Sequence, residues 1–431
     1  MTSQGRRVAV TGIGIVSPLG LTKKTSWDNL IQGKSGIAPI QQFDASGFPT
    51  QIAAEVKNFT VPKPLLKSDR YRTRFTHFAL MAAKEALQDA NCMPTPQTAK
   101  RWGVVVGSGM MTAEFEYLQR FQQAAAKDGS PNWQDLAKAN FCDIKDFGKT
   151  TSNAGLSLLI QSFGIKGYAT SVHTACASSG QALGLALNVI RRNEADCILA
   201  GGFDSMINPL GLSSFCLLGA LSTANETPSA ASRPFDAKRN GFVLGEGAAF
   251  LILESFEHAN KRGAKIYAEF AGEGNSLSAY RITDSHPDGF GAIEAIENAL
   301  RDANLSPNDV DYINAHGTST LMNDLSETNA IKAVFGREAY NIPTSSTKSQ
   351  TGHLIAAAGA LEAAFSVLSL QNAILPPTAN LTNKDPACDL DFIVEGPRAK
   401  AIKVALSNSF GFGGSNSCLA FIHKDLRGSD A

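Results

Sequence analysis

The chain has 431 residues, which is enough for one large domain or two of ordinary size. Apolar residues make up 43% of it, and 39 basic side chains balance 39 acidic ones. A chain without net charge has no overall field that favours nucleic acid or an anionic membrane, so neither is expected as a partner.

The first apolar segment, residues 8–16, follows two arginines and superficially resembles a secretion signal. Glycines and Pro18 interrupt it and no small-residue cleavage site follows, so a buried first strand is predicted instead. A later apolar run, around residues 355–370, contains Glu362 and is too short to span a membrane. Seven dispersed cysteines without a C-x-x-C pair fit a reducing compartment, and no metal-ligand spacing occurs. We therefore expect a soluble, cytoplasmic protein without a bound metal.

Three segments of the chain occur twice, which predicts a duplicated fold. The pairs are ALQDAN at 86–91 with ALRDAN at 299–304, the apolar helices after Gly180 and Gly359, and the Gly-rich turn with its strand at 241–254 and 409–422. Self-similarity of this kind indicates two stacked copies of one layered α/β unit, with halves at 1–255 and 256–431. The first copy is about 34 residues longer before Gly180, so an insertion at about residues 110–171 is expected to cap the site or a subunit interface.

The segment TACASSG, residues 174–180, places Cys176 directly before an apolar helix that ends near Arg192. Free N–H groups and the positive end of the helix dipole lower the pKa of a thiol at such a position. Most cysteines are inert packing residues, and the other six here are interpreted in that way. Cys176 is predicted to be a nucleophile with a lowered pKa.

Two histidines occupy strand-to-helix junctions in the second copy. His316 follows an apolar strand and precedes a glycine, and His353 ends a Ser/Thr-rich loop that also holds Lys348. Strand ends of α/β layers commonly supply active-site residues, so both histidines are candidates for catalysis. The remaining five histidines are interpreted as packing or surface residues.

The glycine-dense turn SNSFGFGGSN, residues 407–416, has two interpretations. Its main-chain N–H groups can point at a developing oxyanion, or it is an ordinary tight hairpin. No dinucleotide-binding fingerprint, phosphate-binding loop or G-x-S-x-G nucleophile turn is present.

These segments resemble the β-ketoacyl-ACP synthases of the thiolase superfamily, which share the same order of cysteine, histidine, lysine, histidine and GFGG turn. The closest type is synthase II, the elongating enzyme of dissociated fatty acid synthesis. Further shared segments are VTGIG at 10–14, SRPFD at 232–236, GFVLGEG at 241–247 and LPPT at 375–378. The resemblance covers nearly the whole chain, and it implies a five-layered αβαβα sandwich from a duplicated unit, usually a homodimer.

The resemblance implies decarboxylative condensation of an acyl chain with malonyl-ACP. Cys176 would take the acyl chain from acyl-ACP as a thioester, and the backbone N–H groups of Cys176 and Phe412 would form the oxyanion hole. His316 and His353 would donate hydrogen bonds to the malonyl thioester oxygen as carbon dioxide leaves. Neutral imidazoles suit this step because charge develops on that oxygen.

The resemblance also implies roles around these reacting residues. Lys348 would support the histidine pair with Glu362 as its partner, and Phe412 would act as the gating phenylalanine. Phosphopantetheine would arrive on the carrier protein, so no other cofactor is expected. Thr318 and Thr320 would contact the pantetheine, and Met110 would form the wall of the acyl pocket. Lys67 and Arg70 would dock the acidic carrier protein.

Some positions depart from the usual pattern of these synthases. LMND at 321–324 replaces the usual PAGD, Gly219 replaces an arginine, and the segment around 142–152 differs from housekeeping enzymes. A polyketide or polyene ketosynthase of the same mechanism is therefore an alternative. A non-catalytic chain-length-factor subunit is another, although Cys176 argues against it, and a CoA-dependent thiolase is disfavoured by the two histidines.

Overall fold

The computed structural model describes residues 5–60, 73–109, 115–127, 130–131, 134, 149, 151 and 153–427. Its largest element is a ten-stranded mixed sheet. The strands are β1 (Val8–Val16), β2 (Trp102–Ser108), β3 (Ala169–Val172), β4 (Cys197–Ser205), β5 (Glu246–Ser255), β6 (Ala268–Leu277), β7 (Tyr312–Asn314), β8 (Thr344–Ser345), β9 (Val404–Phe410) and β10 (Ser415–His423). The first strand is buried along its whole length, as predicted.

Helices connect most of the strands along the chain, in places two in succession. They are α1 (Lys23–Ile31), α2 (Arg74–Asp89), α3 (Phe115–Ala125), α4 (Ala154–Phe163), α5 (Ser178–Arg191), α6 (Pro209–Leu217), α7 (Phe256–Lys261), α8 (Phe290–Asp302), α9 (Leu321–Phe335), α10 (Lys348–Thr351) and α11 (Ala358–Asn372). Among the described residues, no helix is both long and apolar enough to cross a bilayer.

The two halves of the sheet share one strand order. In the first half the order is β1-β5-β4-β2-β3, and in the second it is β6-β10-β9-β7-β8. The strand that comes second along the chain in each half, β2 or β7, runs parallel to both of its neighbours in the sheet. This identical order confirms the predicted duplication. In the described part of the sheet, the two half-sheets are joined by the pairing of β1 with β6, at Ala9 with Glu269 and Val10 with Ala268. The division at residues 255 and 256 stays a prediction.

The helices form three layers around the two half-sheets. Helices α5 and α11 pack against each other and against strands of both halves, which places them in the middle. Helices α2 and α4 cover the outer face of the first half, and α8 and α9 lie on the outer side of the second. Helix α11 is buried from Ala358 to Leu370, as expected of a helix that is apolar on all sides. The five-layered sandwich is therefore confirmed.

The predicted cap at residues 110–171 contains parts of the repeated unit. Helix α4 and strand β3 take the places in the first half that α9 and β8 take in the second. Residues 154–172 thus belong to the core fold, because the self-similarity of this stretch is too weak to read from sequence. Most of 110–152 lies outside the described residues.

Candidate active site

Cys176 lies in a single 3-10 turn, Ala175–Ala177, directly before α5. Ala175 has φ +50°, which is uncommon for a residue with a side chain, and the chain therefore turns sharply between β3 and the helix. Ser178 stabilises this turn, because its Oγ donates to Ala175 O at 2.7 Å and accepts from Thr174 N at 2.8 Å. The TACASSG segment thus supplies both the nucleophile and the residues that hold its backbone.

The predicted lowering of the Cys176 pKa is wrong. Burial raises the pKa of this thiol to about 11, although the N–H groups of Phe412 and Cys176 and the charge of Lys348 act in the opposite direction. Only 4% of Cys176 is exposed, so loss of water around the thiolate outweighs the favourable dipoles. The free thiol is therefore protonated at neutral pH, and its proton must leave during attack.

His353 is the histidine nearest to the sulfur, with Nε2 at 3.0 Å from Cys176 Sγ. Its backbone forms a bridge to Leu244, and its ring packs edge-on against Phe242 with 5.3 Å between centroids. The N–H of Ile355 donates to Nδ1 at 3.3 Å. Since Nδ1 accepts, the neutral ring carries its proton on Nε2, facing the sulfur.

His316 stands beside His353, with 5.3 Å between the ring centroids. Its Nδ1 lies 3.2 Å from Lys348 Nζ. An ammonium group can only donate, so Nδ1 accepts and the proton of the neutral ring is on Nε2. Burial lowers the pKa of both histidines well below 6.5, and the Lys348 charge lowers it further. Both rings are therefore neutral N–H donors at physiological pH.

Lys348 and Glu362 form a buried ion pair behind the histidines. Lys348 Nζ donates to Glu362 Oε1, and the two side chains are 1% and 3% exposed. Burial raises the pKa of Glu362 to about 7, against the effect of the lysine charge. The carboxylate holds the ammonium group in place against His316, which fits the supporting role implied for both residues.

Glu327 is a buried carboxylate that sequence reasoning missed. It accepts hydrogen bonds from the backbone N–H groups of His316 and Gly317, each at 2.8 Å, and from Asn408 Nδ2 at 3.0 Å. These contacts fix the turn that presents His316. Burial raises the pKa of Glu327 to about 7, opposed by these donors. An available signal in the sequence was the placement of two acidic residues, Asp324 and Glu327, three apart on one face of the helix that follows the His316 turn.

The glycine-dense turn joins β9 to β10, and it is both a hairpin connection and part of the site. Gly413 and Gly414 have φ +80° and +79°, which residues with side chains rarely adopt. This conformation turns the N–H of Phe412 toward Cys176 Sγ, where it joins the N–H of Cys176 itself. Two converging main-chain donors next to a thiol form the geometry of an oxyanion hole. The Phe412 ring lies half-buried, 6.4 Å from the ring of Phe215.

A cavity of about 400 Å³ opens onto the sulfur. The predicted residues that line it are Cys176, His316, His353, Thr318, Thr320 and Phe412. The two threonine hydroxyls are 3.0 Å apart, and Thr320 also caps α9. Met110, Lys67 and Arg70 lie outside the described residues, so their predicted roles stay predictions.

Among the residues that the structure describes, two groups of side chains are compact enough to bind a metal ion. The ligand atoms of Cys176, His316 and His353 all lie within 4.8 Å of one another, as do those of Cys92, Cys197 and Glu254. In the second group Arg262, Thr11 and His258 already contact the carboxylate oxygens of Glu254. The first group combines a thiol with two imidazole N–H groups, and two amide N–H groups lie beside them. This set suits acyl transfer and stabilisation of a charged oxygen.

Comparisons with known proteins agree with this geometry. Residues 5–259 match the family Beta-ketoacyl synthase, N-terminal domain, and residues 267–382 match Beta-ketoacyl synthase, C-terminal domain. The 3-oxoacyl-[acyl-carrier-protein] synthase 2 of Coxiella burnetii is 44% identical over 417 residues, which cover 96% of this chain and 98% of the relative. The protein of the same name from Synechocystis is 42% identical with the same coverage.

Solved structures show the same fold. A type II PKS ketosynthase, in complex with its acyl-carrier protein and bound to the hexaketide, has a TM-score of 0.88 and 37% identity, over 98% of this chain and 100% of that chain. A Beta-ketoacyl synthase from Burkholderia phymatum has a TM-score of 0.88 and 33% identity, over 97% and 99% of the two chains. The chain therefore belongs to the β-ketoacyl synthase family.

Proposed function

We propose that this protein is a 3-oxoacyl-[acyl-carrier-protein] synthase of type II that elongates fatty acyl chains by two carbons at a time. The contact that carries the proposal is the 3.0 Å approach of His353 Nε2 to Cys176 Sγ, beside two amide N–H groups. Relatives that are 40–44% identical over almost their full length bear this name.

In the first step, Cys176 Sγ attacks the thioester carbonyl of acyl-ACP. The charged oxygen of the tetrahedral intermediate accepts from the N–H groups of Cys176 and Phe412, which lowers the barrier. The bond to the pantetheine sulfur then breaks, and the thiol proton ends on that departing sulfur. The products are acyl-Cys176 and free carrier protein.

In the second step, malonyl-ACP enters and its thioester oxygen accepts from Nε2–H of His316 and of His353. The bond to the carboxylate breaks, carbon dioxide leaves, and the electron pair becomes an enolate held by the two imidazoles. The enolate carbon attacks the acyl carbonyl on Cys176, the bond to sulfur breaks to release β-ketoacyl-ACP, and the thiolate takes a proton from water. No base is needed, because decarboxylation itself supplies the nucleophile. The histidines need only stay neutral, which burial and Lys348 favour.

The cofactor and the partner follow from this mechanism, whereas the assembly and the location are proposed from the family resemblance and the cysteine pattern. Phosphopantetheine on the carrier protein brings both substrates, with Thr318 and Thr320 as its hydroxyl contacts, and we propose no resident cofactor. The partner is an acyl carrier protein, the active form is a homodimer, and the protein works in the cytoplasm.

Intact-mass measurement with a panel of acyl-ACPs tests this function. We expect the mass to rise by one acyl group on Cys176, and malonyl-ACP then to release β-ketoacyl-ACP. Cys176→Ala should abolish condensation, by at least about 10⁴-fold, while leaving the fold intact. Cys388→Ala, which alters another buried thiol, is the matched control. Condensation that survives in Cys176→Ala contradicts the assignment.

A polyketide or polyene ketosynthase of the same mechanism is the second candidate. The favouring observation is a mouth of the cavity that departs from the housekeeping pattern at Gly219 and at Leu321 and Met322. The same mass panel separates the two functions. One elongation of saturated chains indicates fatty acid synthesis, whereas repeated extension without reduction indicates a polyketide.

A further inference from the structure

Two cysteines outside the active site have their sulfur atoms side by side. Cys92 lies in the loop after α2, and Cys197 is the first residue of β4. Their Sγ atoms lie within 4.8 Å of each other and of a carboxylate oxygen of Glu254, and both thiols are reduced. These two residues are here called the thiol pair. A disulfide holds its sulfurs at about 2 Å, so the pair must close by less than about 3 Å to be oxidised.

One member of the thiol pair is held by the sheet, and the other lies at the surface. Cys197 pairs with Trp102 on one side and with Glu254 on the other, and it is 1% exposed. Cys92 is partly exposed, and the next residue, Met93, is 50% exposed. A small oxidant therefore reaches Cys92 first. The surface loop, rather than the sheet, adjusts when the two sulfurs join.

The surroundings of the thiol pair favour a thiolate at Cys92. A hydrogen bond from the Cys197 thiol lowers the pKa of Cys92. The charges of Arg262 and His258 act in the same direction, whereas burial and the charge of Glu254 oppose them. The same hydrogen bond, together with burial, raises the pKa of Cys197, which therefore keeps its proton. A partly exposed thiolate beside a second thiol is typical of redox-active cysteines.

The carboxylate beside the thiol pair is already occupied by donors. Glu254 Oε1 accepts from Thr11 and Arg262, and Oε2 accepts from His258 at 2.6 Å and from Arg262 at 2.9 Å. Within the described chain, the compact set at this place consists of the two sulfurs and this one carboxylate. A metal ion would have to displace the donors of Glu254 to gain a third ligand, whereas oxidation of the two thiols leaves them in place.

We propose that the thiol pair reacts with a hydroperoxide and closes a reversible disulfide, with Cys92 as the attacking residue and Cys197 as the resolving one. The Cys92 sulfur attacks the outer peroxide oxygen, the O–O bond breaks, and water or an alcohol leaves after taking a proton from solvent. This step leaves a sulfenic acid on Cys92. The Cys197 thiol then attacks that sulfur, and its proton leaves with the sulfenic hydroxyl as water. The peroxide gains the two electrons that the thiols lose.

This second reactive site is remote from the catalytic cysteine. Asp204, near the other end of β4, lies close enough to Cys176 for its charge to act on that thiol. A strand rises about 3.3 Å per residue, so Cys197 lies roughly 23 Å from Asp204. Burial keeps Cys176 protonated and out of contact with solvent, so a peroxide should oxidise Cys92 before it. The proposal therefore does not depend on the proposed function.

Treatment of the wild-type protein with hydrogen peroxide near neutral pH tests the proposal. The intact mass should fall by two hydrogen atoms, and peptide mapping should find Cys92 joined to Cys197. This disulfide should form at least about tenfold faster than Cys176 is oxidised. Dithiothreitol should restore the original mass. Since the readout is mass, the test needs no condensation activity.

Two variants separate the roles of the two thiols. Cys197→Ser should leave Cys92 as a sulfenic acid that dimedone traps, and Cys92→Ser should leave Cys197 reduced. Cys388→Ser, which changes another buried thiol, is the matched control. It should form the disulfide at the wild-type rate.

Three results would overturn the proposal. One is oxidation of Cys176 ahead of the thiol pair. Another is a wild-type Cys92 that stays reduced, or that accumulates as a sulfenic acid while Cys197 remains a thiol. The third is one equivalent of zinc in the untreated protein that is lost in both Cys92→Ser and Cys197→Ser, because the pair would then be a metal site.

Discussion

The two copies of the fold build the same sharp turn before their buried helices, but of the two turns that of the first copy holds a thiol. Ala175 and Ile355 have φ +50° and +47°, and each begins a single 3-10 turn that leads into α5 or α11. The next residue is Cys176 in the first copy and Ala356 in the second. The backbone is thus repeated, and the reacting side chain is not.

The amide groups of these two turns have different partners. In the second copy, Ala356 N donates to Asp204 Oδ2 at 3.0 Å, and Ser205 N also donates to this carboxylate. At the turn of the first copy, the corresponding amides are those of Cys176 and of Phe412 from the second copy, and they face the cysteine sulfur.

Asp204 and Gly411 explain this difference. Each follows a phenylalanine at the end of the fourth strand of its half, in the segments FDS at 203–205 and FGF at 410–412. The Asp204 side chain accepts from the amides of Ala356 and Ser205, whereas Gly411 has no side chain to occupy the amides of Cys176 and Phe412. The fold therefore builds two anion-binding turns, and the one that is left open beside a thiol can act in catalysis.

The largest expected effect comes from closing the open turn. Gly411→Asp should place a carboxylate on the amides of Cys176 and Phe412 and lower kcat/KM for condensation by about 10²–10³-fold. Gly411→Ala separates size from charge, because a Cβ there already meets Thr174 O at 2.9 Å. Steady-state kinetics with acyl-ACP and malonyl-ACP measure both variants. If Gly411→Asp were as active as Gly411→Ala, the carboxylate would have no effect on the two amides, and the proposed difference between the two turns would be wrong.

The second copy contributes histidines in place of a nucleophile. His353→Ala should still form the acyl enzyme, while decarboxylation of malonyl-ACP falls by about 10²-fold, because one donor to the enolate oxygen is lost. Release of labelled carbon dioxide measures this step, and intact mass measures acylation. His423→Ala, which removes a partly exposed imidazole at the end of β10, is the control. Normal decarboxylation in His353→Ala would remove the enolate role.

A pH titration decides whether burial or the nearby amide dipoles have the larger effect on the pKa of Cys176. Because burial raises the pKa of Cys176 to about 11, alkylation of the free enzyme by iodoacetamide should rise about tenfold per pH unit from pH 7 to about 10. Peptide mass spectrometry follows the rate at Cys176 alone. A plateau near pH 8 would mean that the amide dipoles dominate.

The smallest effect is expected at the filled turn. Burial raises the pKa of Asp204 to about 7, so the folded protein keeps this proton between pH 4 and 7 while the unfolded chain, with a value of 3.8, loses it. Its contribution to the free energy of unfolding therefore falls as pH rises through this window. Asp204→Asn should flatten the fall by about 1–2 kcal/mol, measured by urea unfolding at several pH values. Glu327 and Glu362 act in the same direction and remain in the variant. Parallel curves for the two proteins would contradict this.

Much of the architecture was predictable, because duplication leaves local traces. The repeated ALQDAN and ALRDAN segments end α2 and α8, and these two helices cover the outer faces of equivalent half-sheets. The cap boundary was less predictable, since α4 and β3 share no clear pattern with α9 and β8. Within the site, the residues that could be predicted from the sequence lie beside glycines or at helix starts, because such positions expose side chains and amides.

By itself, the sequence determined the duplicated sandwich and the presence of one cysteine, two histidines and a glycine-rich turn at helix and strand ends. Those features depend on neighbours within a few residues. Only the tertiary structure decided the pKa values of the cysteine, the histidines and the buried carboxylates, and the roles of Asp204 and Glu327. His353 and Cys176 are 177 residues apart, and Ala356 and Asp204 are 152 apart. Burial and hydrogen bonding between such distant positions set the pKa values, and composition and spacing do not encode them.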